Sequence, residues 1–297
     1  MQSNFFKRTI IAVIAFAVIG AGALVYFFFL RGAKAPAPQA QVPVAVEDLG
    51  PAHKVIGKSL EGRNIDVYTY GNGETHLAFV GGVHGGYEWN SVLLAYAFMD
   101  YFSVNPRNIP KNLTISIIPS ANPDGVWRVT GKTGRFTEAD VSEDPKIPAS
   151  GRFNARGVDL NRNFDCKWKP QSTWQSKVVS AGSSAFSEPE AMAIRDFVLQ
   201  NKPRAVIFWH SKANAVYASE CEGGILPETL AIMKAYSAGS AYPAVSIFDA
   251  YEISGDAEGW LASINIPAIT VELKSHGIIE WERNLAGLKS LFEYYTR

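Results

Sequence analysis

Residues 205–210 (AVIFWH) are five apolar residues followed by a histidine. A strand without polar alternation is typical of a sheet that has helices packed on both faces. Residues 77–83 (LAFVGGV) are a similar run that leads into His84. Residues 267–271 (PAITV) lead in the same way into Glu272. Because ligand sites of open α/β sheets lie at the carboxyl ends of strands, we expect these three ionisable side chains to share one site.

Strand and helix patterns alternate through residues 53–297, which predicts an α/β fold. The predicted strands are residues 64–70, 76–83, 113–120, 205–210 and 267–273. The predicted helices are residues 89–102, 189–200, 227–237 and 278–295. Ser187 is the expected N-cap of the second helix, with Glu190 completing a capping box.

Composition restricts the classes of function and of metal site. The 28 Lys and Arg residues balance 28 Asp and Glu residues, whereas a general nucleic-acid binder needs a basic surface that displaces counterions. We therefore expect no nucleic-acid partner. The two cysteines are too few for an all-cysteine zinc site and lie far apart, so a metal site is expected to use histidines and carboxylates.

Residues 9–30 (TIIAVIAFAVIGAGALVYFFFL) are an uncharged and almost wholly apolar segment. As a helix rising about 1.5 Å per residue, this segment would cross a bilayer core of about 30 Å. It predicts an uncleaved signal anchor after a short tail, residues 1–8, with the lipid bilayer as partner. A cleaved secretory signal is the alternative.

A Pro- and Ala-rich stretch, residues 31–52, follows the predicted anchor and indicates an extended linker. Residues 53–297 are then expected to form one globular domain. The expected location is the cytoplasmic membrane, crossed once, with this domain on the outer side. A cytosolic domain is the alternative, because cations flank both ends of the apolar segment.

A carboxylate follows His84 at a distance of four residues, in the segment HGGYE that ends at Glu88. Residues four apart share one face of a helical turn, and an imidazole with a carboxylate suits zinc. With His210 as the third ligand, this pair indicates an open catalytic zinc site. The alternative is a glycine turn whose Glu lies favourably at a helix N-terminus.

Residues 151–165 (GRFNARGVDLNRNFD) contain Arg152, Arg156 and Arg162, with Asn161 beside the last of them. Guanidinium groups bind carboxylates through two parallel hydrogen bonds, and an amide adds a donor and an acceptor. The cluster indicates a site for a free C-terminal carboxylate. The alternative is a surface loop with solvated charges.

Seven segments of the sequence resemble signatures of the zinc metallocarboxypeptidases of the carboxypeptidase A/B type. In chain order they are residues 82–89 (GVHGGYEW), 122–125 (NPDG), 157–164 (GVDLNRNF), 187–190 (SEPE), 209–211 (WHS), 251–260 (YEISGDAEGW) and 271–273 (VEL). They occur in the family's order, and an ordered set is far more specific than any single segment. The resemblance implies a mixed central sheet of about eight strands flanked by helices, which is an α/β layer architecture.

The resemblance also implies a catalytic centre that holds one zinc ion. Its metal ligands would be His84, Glu88 and His210. Glu272 would be the general acid and base, and Arg152 would polarise the scissile carbonyl. Two neighbouring arginines are alternatives for that last role, namely Arg128 and Arg156. The usual family motif has two residues between its His and Glu, whereas this sequence has three.

Substrate binding is implied for five more residues. Asn161 and Arg162 would hold the terminal carboxylate of a peptide, and Tyr251 would close over the terminal residue. Glu258 follows Tyr251 by seven residues, where basic-specific relatives carry an acidic residue. Together with Asp256, it would favour a terminal Lys, Arg or other amine-bearing residue such as diaminopimelate. The alternative is that both acids face solvent.

The resemblance brings both cysteines to the mouth of the same site, since Cys166 follows Arg162 by four residues and Cys221 follows His210 by eleven. Outside the cytosol they could form a disulfide. Two free thiols and extra soft metal ligands are the alternatives.

These features together predict a membrane-anchored zinc metallocarboxypeptidase that hydrolyses the C-terminal residue of peptides. Its expected partner is a peptide or muropeptide with a free C-terminal carboxylate. A hydrolase of cell-wall muropeptides and a deacylase of small conjugates are alternatives on the same scaffold. A non-catalytic peptide-binding module is a further alternative, against which the presence of Glu272 and both histidines argues.

Overall fold

A computed structural model describes residues 51–144 and 146–297. The predicted anchor, residues 9–30, and the tail before it lie outside these residues. Among the helices that the structure describes, none combines the length and the apolar character needed to cross a bilayer.

The described residues form ten strands and seven α-helices. The strands are β1 (Ala52–Lys58), β2 (Asn64–Gly71), β3 (Thr75–Val80), β4 (Leu113–Ile118), β5 (Gln171–Trp174), β6 (Lys177–Ser180), β7 (Ala205–Ser211), β8 (Ala215–Ala218), β9 (Ala244–Val245) and β10 (Ala268–Leu273). The helices are α1 (Trp89–Val104), α2 (Pro123–Thr130), α3 (Lys146–Ser150), α4 (Pro189–Asn201), α5 (Pro227–Ser240), α6 (Ala257–Ser263) and α7 (Trp281–Thr296). The five predicted strands correspond to β2, β3, β4, β7 and β10, and the four predicted helices to α1, α4, α5 and α7.

Eight strands form one mixed sheet in the order β1-β2-β4-β3-β7-β10-β8-β9. The four central strands, β4, β3, β7 and β10, run parallel to one another. The pairs β1–β2, β2–β4 and β10–β8 are antiparallel, and β5 and β6 form a separate hairpin. The predicted mixed eight-stranded sheet is therefore confirmed.

Strand β7 is buried along its whole length, as its unbroken apolar run predicts. On one face, Trp209 stacks between Phe79 and Phe98, with ring centroids 5.3 and 5.2 Å away, in a core shared with α1, α5 and α7. On the other face, Phe208 belongs to a second core that includes α4 and α6. Helices thus cover both faces of the central sheet. The polar side chains of β7, His210 and Ser211, lie at its carboxyl end.

The parallel central strands bring three ionisable side chains to one edge of the sheet. The ladder between β7 and β10 pairs His210 with Glu272. Strand β3 ends at Val80, three residues before the predicted end, because the chain turns at Gly82, whose φ is +60°. This turn carries His84 toward the same edge.

The predicted capping box before α4 is wrong. The N-cap of α4 is Glu188 rather than Ser187, and its side chain makes no capping hydrogen bond. Both acids of this segment are buried and bind partners from distant parts of the chain. Glu190 accepts a hydrogen bond from the backbone N–H of Leu60 at 2.9 Å, and Asn154 donates to Glu188 at 2.7 Å.

Candidate active site

One cavity of about 600 Å³ opens at the carboxyl ends of β7 and β10. Ten predicted catalytic, substrate-binding and metal-binding residues line it, which are His84, Glu88, Arg152, Asn161, Arg162, His210, Tyr251, Asp256, Glu258 and Glu272. Sequence positions that span almost two hundred residues therefore meet at a single site.

Three buried side chains converge in this cavity as a potential metal site. Nδ1 of His84 lies 2.8 Å from one carboxylate oxygen of Glu88, and Nδ1 of His210 lies 2.9 Å from the other. The two Nδ1 atoms are 3.2 Å apart. Two imidazoles and a carboxylate are a donor set that zinc prefers, and three protein ligands leave a position open for a substrate or water. These residues therefore fit a catalytic zinc ion.

A short helical turn brings the first two of these side chains together despite the extra residue between them. Gly85–Glu88 is a 3-10 turn that begins directly after His84. Gly85 has φ +46°, and a Cβ atom there would lie 2.6 Å from the Gly151 carbonyl oxygen. Glycine thus permits both the left-handed backbone and the close approach that this turn requires.

The charge state of Glu88 also suits metal binding. Burial by itself raises the pKa of this carboxyl group, but the imidazoles of His84 and His210 outweigh burial and hold the pKa well below its ordinary value. The carboxylate is therefore ionised at neutral pH, as a metal ligand must be.

Two further carboxylates lie behind the histidines. Asp159 Oδ1 is 3.4 Å from Nε2 of His84, and Glu258 Oε1 is 3.3 Å from Nε2 of His210. Carboxylates in this position orient a metal-bound imidazole and fix its tautomer. Sequence reasoning did not single out Asp159, although it lies in the segment of residues 157–164 that resembles the family.

Arg152 lies against the same centre. Its guanidinium donates to Asp159 from Nε at 3.0 Å and from Nη2 at 2.8 Å, and Nη1 lies 3.8 Å from Glu88. Its Cζ atom is 4.3 Å from the ring centroid of Trp174, a cavity residue that the sequence did not indicate. The two alternative arginines bind elsewhere: Arg128 donates to the Ser150 carbonyl, and Arg156 pairs with Glu188.

Asn161 and Arg162, the predicted carboxylate clamp, are both held by hydrogen bonds to backbone groups. Arg162 donates from Nε and Nη2 to the Thr173 carbonyl at 3.2 and 3.1 Å, and from Nη1 to the Asn161 carbonyl at 2.5 Å. Guanidinium has five N–H donors, and the described residues use three of them, so two remain for a ligand. The Asn161 side chain is oriented by the backbone N–H of Ala257, which donates to Oδ1 at 2.9 Å.

The two acids of the predicted pocket, Asp256 and Glu258, line the cavity, where Glu258 is buried and Asp256 is half-buried. Glu258 is 4% exposed and accepts a hydrogen bond from the Thr270 hydroxyl at 3.0 Å. Asp256 is the N-cap of α6 and accepts from the Gly259 N–H at 2.7 Å. Burial, reinforced by the nearby Glu258 carboxylate, raises the pKa of Asp256 to about 6.

Glu272 lies beside His210 in the sheet and accepts a hydrogen bond from the backbone N–H of Ala213 at 3.1 Å. Burial, followed by the charge of Glu88, raises its pKa to about 7. A carboxyl group with a pKa near neutral pH is suited both to accept and to return a proton. Tyr251, on the cavity wall, packs edge-on against Phe248 with ring centroids 4.9 Å apart.

A disulfide joins Cys166 to Cys221, with their Cα atoms 6.1 Å apart, so this predicted pairing is confirmed. The bond ties the segment after Arg162 to the segment after β8. The Cys166 carbonyl also accepts a hydrogen bond from the Gly255 N–H at 2.7 Å. This hydrogen bond connects the segment after Arg162 to the segment that carries Asp256 and Glu258.

Replacing Cys166 and Cys221 together by Ser is expected to lower the free energy of unfolding by about 4 kcal/mol, because the bond spans 55 residues and restricts the unfolded chain. Denaturant titration of the variant and of the wild type, each with and without reductant, measures the loss. The reduced wild type serves as the control and should match the variant. Equal midpoints for oxidised wild type and variant would contradict this expectation.

A profile of zinc carboxypeptidases matches residues 52–286, most of the chain. The chain belongs to the zinc carboxypeptidase family. The side chains of His84, Glu88 and His210 form a site that could bind the metal of this family.

Relatives of this chain are named for different activities. The gamma-D-glutamyl-L-diamino acid endopeptidase 1 of Lysinibacillus sphaericus is 24% identical over 74% of this chain and 60% of its own length. The human carboxypeptidase N catalytic chain is 32% identical over 37% of this chain and 25% of its own length. The chain thus spans about 60% or less of the length of these relatives.

Solved structures share the fold. Murein-tripeptide amidase MpaA from Escherichia coli O157 aligns with a TM-score of 0.57 and 22% identity, covering 82% of this chain and 91% of that protein. Bovine thrombin-activatable fibrinolysis inhibitor aligns with a TM-score of 0.66 and 20% identity, covering 83% of this chain and 90% of that protein. At such identities the likeness establishes the zinc carboxypeptidase fold.

Proposed function

We propose that this chain is a zinc-dependent carboxypeptidase that removes the C-terminal residue of peptides. One observation carries the proposal: Arg162 lines the same cavity as Glu272 and the potential metal site, and its guanidinium has two donors that no described residue uses. A cation held in this way binds the terminal carboxylate and so places the last peptide bond, rather than an internal bond, at the reacting groups.

The proposed mechanism assigns one role to each side chain. His84, Glu88 and His210 would hold zinc, which when bound would supply a Lewis acid and make water a stronger acid. Glu272 accepts the proton of the attacking water and returns it to the leaving amine. Arg152 donates to the oxygen that becomes negatively charged, in a buried site where such a hydrogen bond is strong.

The test is cleavage of matched peptides with free and with amidated C-termini by the zinc-loaded protein, followed by mass spectrometry. We expect release of single C-terminal residues from the free peptides only, because amidation removes the charge that Arg162 binds. Equal cleavage of amidated peptides would contradict an exopeptidase. The zinc content, measured on the same preparation, should be about one ion per chain.

We further propose that the pocket prefers a basic or amine-bearing terminal residue. The supporting observation is that Glu258, which is buried, and Asp256 flank Ala257, whose backbone N–H donates to Asn161 at 2.9 Å in the same cavity. Buried carboxylates favour a ligand that brings a compensating positive charge.

Replacing Glu258 by Gln is expected to lower kcat/KM for a peptide ending in Lys by about tenfold relative to one ending in Leu, since a hydrogen bond between charged groups contributes roughly 1.5–3 kcal/mol. The measurement is kcat/KM for the two peptides. Glu252→Gln is the matched control, because this rim carboxylate pairs with Lys169 and should leave the ratio unchanged. An equal loss for both peptides, together with weaker zinc binding, would instead assign Glu258 to the orientation of His210.

A muropeptide hydrolase is the second candidate. The same two acids would accept the side-chain amine of a diamino acid, and two of the similar proteins are described as a gamma-D-glutamyl-L-diamino acid endopeptidase and a murein-tripeptide amidase. Purified muropeptides added to the peptide panel distinguish the candidates by relative kcat/KM. A small-conjugate deacylase would instead favour acyl-amino acids, and a binding module would cleave nothing.

We also propose a single-pass anchor at residues 9–30 with the catalytic domain outside the cytoplasm. The uncharged apolar segment supports the anchor, and the disulfide supports an oxidising compartment. Membrane fractionation combined with protease digestion of intact cells tests this location. Protection of residues 53–297 in intact cells would contradict it.

A further inference from the structure

Trp174 is a half-buried cavity residue to which the proposed mechanism assigns no role. We propose that Trp174 is a positioning residue, which holds the Arg152 guanidinium in place for the reaction through a cation–π contact. The proposal rests on the peptidase function proposed above, in which Arg152 donates to the developing negative charge. It also gives a function to the β5–β6 hairpin, which carries Trp174 and lies outside the main sheet.

The β5–β6 hairpin has only four residues in each strand. A two-stranded hairpin by itself is at best marginally stable in water, so its contacts with the rest of the chain decide where Trp174 lies. In β6, the Ser180 carbonyl accepts a hydrogen bond from the Asp159 N–H at 3.0 Å. In β5, the buried hydroxyls of Ser172 and Ser254 are hydrogen-bonded at 2.9 Å. Both strands of the hairpin are therefore fixed to the segments that form the cavity.

The end of β5 contacts both arginines of the proposed mechanism. The Thr173 carbonyl accepts hydrogen bonds from Nε and Nη2 of Arg162 at 3.2 and 3.1 Å. The next residue is Trp174, and Cζ of Arg152 lies over its ring, 4.3 Å from the ring centroid. Indole attracts a cation in this position, and the attraction is larger where water is excluded. The Arg152 side chain is 2% exposed, so this contact is made in desolvated surroundings.

Hydrogen bonds by themselves hold the Arg152 guanidinium through a single atom. Nε and Nη2 both donate to Oδ2 of Asp159, at 3.0 and 2.8 Å. Among residues 51–144 and 146–297, this guanidinium makes no other hydrogen bond, and Nη1 is 3.8 Å from Glu88. A planar group bound to one oxygen can tilt about that oxygen, which would move Nη1 relative to the metal site. The ring of Trp174 restricts this tilt because it lies against the guanidinium.

The ring of Trp174 is itself held by two edge-on aromatic contacts. Its centroid is 5.2 Å from that of Tyr87 and 6.2 Å from that of Phe153, with interplanar angles of 80° in both pairs. Edge-to-face pairs of this kind fix the orientation of a ring as well as its position. Tyr87 directly precedes Glu88, and Phe153 directly follows Arg152. The segments that carry the metal ligand and the arginine therefore also orient the indole between them.

The experiment compares the full zinc-loaded wild type with Trp174→Leu and Trp174→Phe in steady-state kinetics on a peptide with a free C-terminus. We expect Trp174→Leu to lower kcat about tenfold and to leave KM within about twofold, because Arg152 acts on the transition state whereas Arg162 still binds the carboxylate. Trp174→Phe keeps an aromatic face and should restore kcat to within about threefold of the wild type.

Trp127→Leu is the matched control. Cζ of Arg63 lies 4.4 Å from the Trp127 ring centroid, so this variant removes a cation–π contact of the same kind from residues outside the cavity lining. Its kcat and KM should equal those of the wild type.

A double-mutant cycle separates positioning from a general loss of structure. In an Arg152→Met background, Trp174→Leu should have no further effect on kcat, because the group that Trp174 positions is gone. Urea unfolding of the same four proteins without metal measures the contact independently of turnover. The destabilisation of the double variant should be smaller than the sum of the two single effects.

Each contrary result has a distinct meaning. An active wild type with unchanged kcat in Trp174→Leu would overturn the positioning role and leave the proposed function intact. A raised KM at constant kcat would also overturn it, and would assign Trp174 to substrate binding. An equal loss of kcat in both backgrounds, or additive effects on unfolding, would show that Trp174 acts independently of Arg152. Cleavage of no peptide by the wild type would overturn the proposed function, and with it the role of Arg152 that Trp174 serves.

Discussion

Glu272→Gln is expected to lower kcat by about 10²–10⁴-fold, the usual contribution of general acid–base catalysis. The amide has nearly the shape of the carboxylate and can still accept a hydrogen bond from the Ala213 N–H, which lies 3.1 Å away. It cannot accept the proton of the attacking water. Steady-state kinetics on a peptide with a free C-terminus measures the loss.

Bound zinc and substrate affinity serve as internal controls for this variant, and both should stay close to wild type because the three proposed ligands are untouched. Glu252→Gln removes a carboxylate at the rim of the same cavity and should keep kcat near that of the wild type. Turnover of Glu272→Gln within a few-fold of the wild type would contradict the role of Glu272.

The same carboxyl group is expected to set the acidic limb of the pH profile. Burial and the charge of Glu88 raise the pKa of Glu272 to about 7, and a general base works only in its deprotonated form. The value of kcat/KM should therefore fall as the pH decreases through the pKa. Because zinc adds positive charge beside this group and favours its anionic form, we expect the limb at or below pH 7 in the holoenzyme.

His210→Ala is expected to reduce bound zinc to background and to lower kcat/KM by about 10³-fold or more, since metal catalysis contributes several kcal/mol of transition-state stabilisation. Nδ1 of His210 lies 2.9 Å from the Glu88 carboxylate and 3.2 Å from Nδ1 of His84. The substitution therefore removes one of the three converging metal ligands. Metal analysis by mass spectrometry and peptide kinetics measure the two effects.

His53→Ala is the matched control for this ligand variant. His53 pairs with Asp66 at 2.8 Å and stacks on Tyr68, outside the cavity lining, so the variant should retain zinc and activity. A chelator should reproduce the His210→Ala effect in the wild type, and added zinc should reverse it. Stoichiometric zinc in His210→Ala would show that His210 is not a ligand.

Much of the central fold could be predicted from local patterns. Strands β3, β7 and β10 could be recognised from short apolar runs, because a strand buried on both faces needs no polar alternation. The outer strands β1 and β9 were not predicted, because they lack such an apolar run. Strand β1 is mostly exposed, and β9 has only two residues, so neither carries a periodic apolar signal.

The helix that begins at Pro189 shows where a local pattern misleads. A Ser followed three residues later by Glu matches a capping box, yet Glu190 accepts a hydrogen bond from the Leu60 N–H at 2.9 Å. That contact connects residues 130 positions apart. Sequence spacing contains no information about this contact, in which the buried Glu190 carboxylate binds a distant backbone N–H instead of forming a local cap.

By itself, the sequence determined that two histidines and a glutamate follow apolar strands, and that arginines cluster near residue 160. These are properties of neighbouring residues, so spacing is enough to show them. Only the tertiary structure decided that Asp159 and Glu258 lie behind the two histidines, at 3.4 and 3.3 Å. The physical reason is that such contacts depend on the parallel register of β7 with β10 and on turns packed from distant segments, which no local pattern specifies.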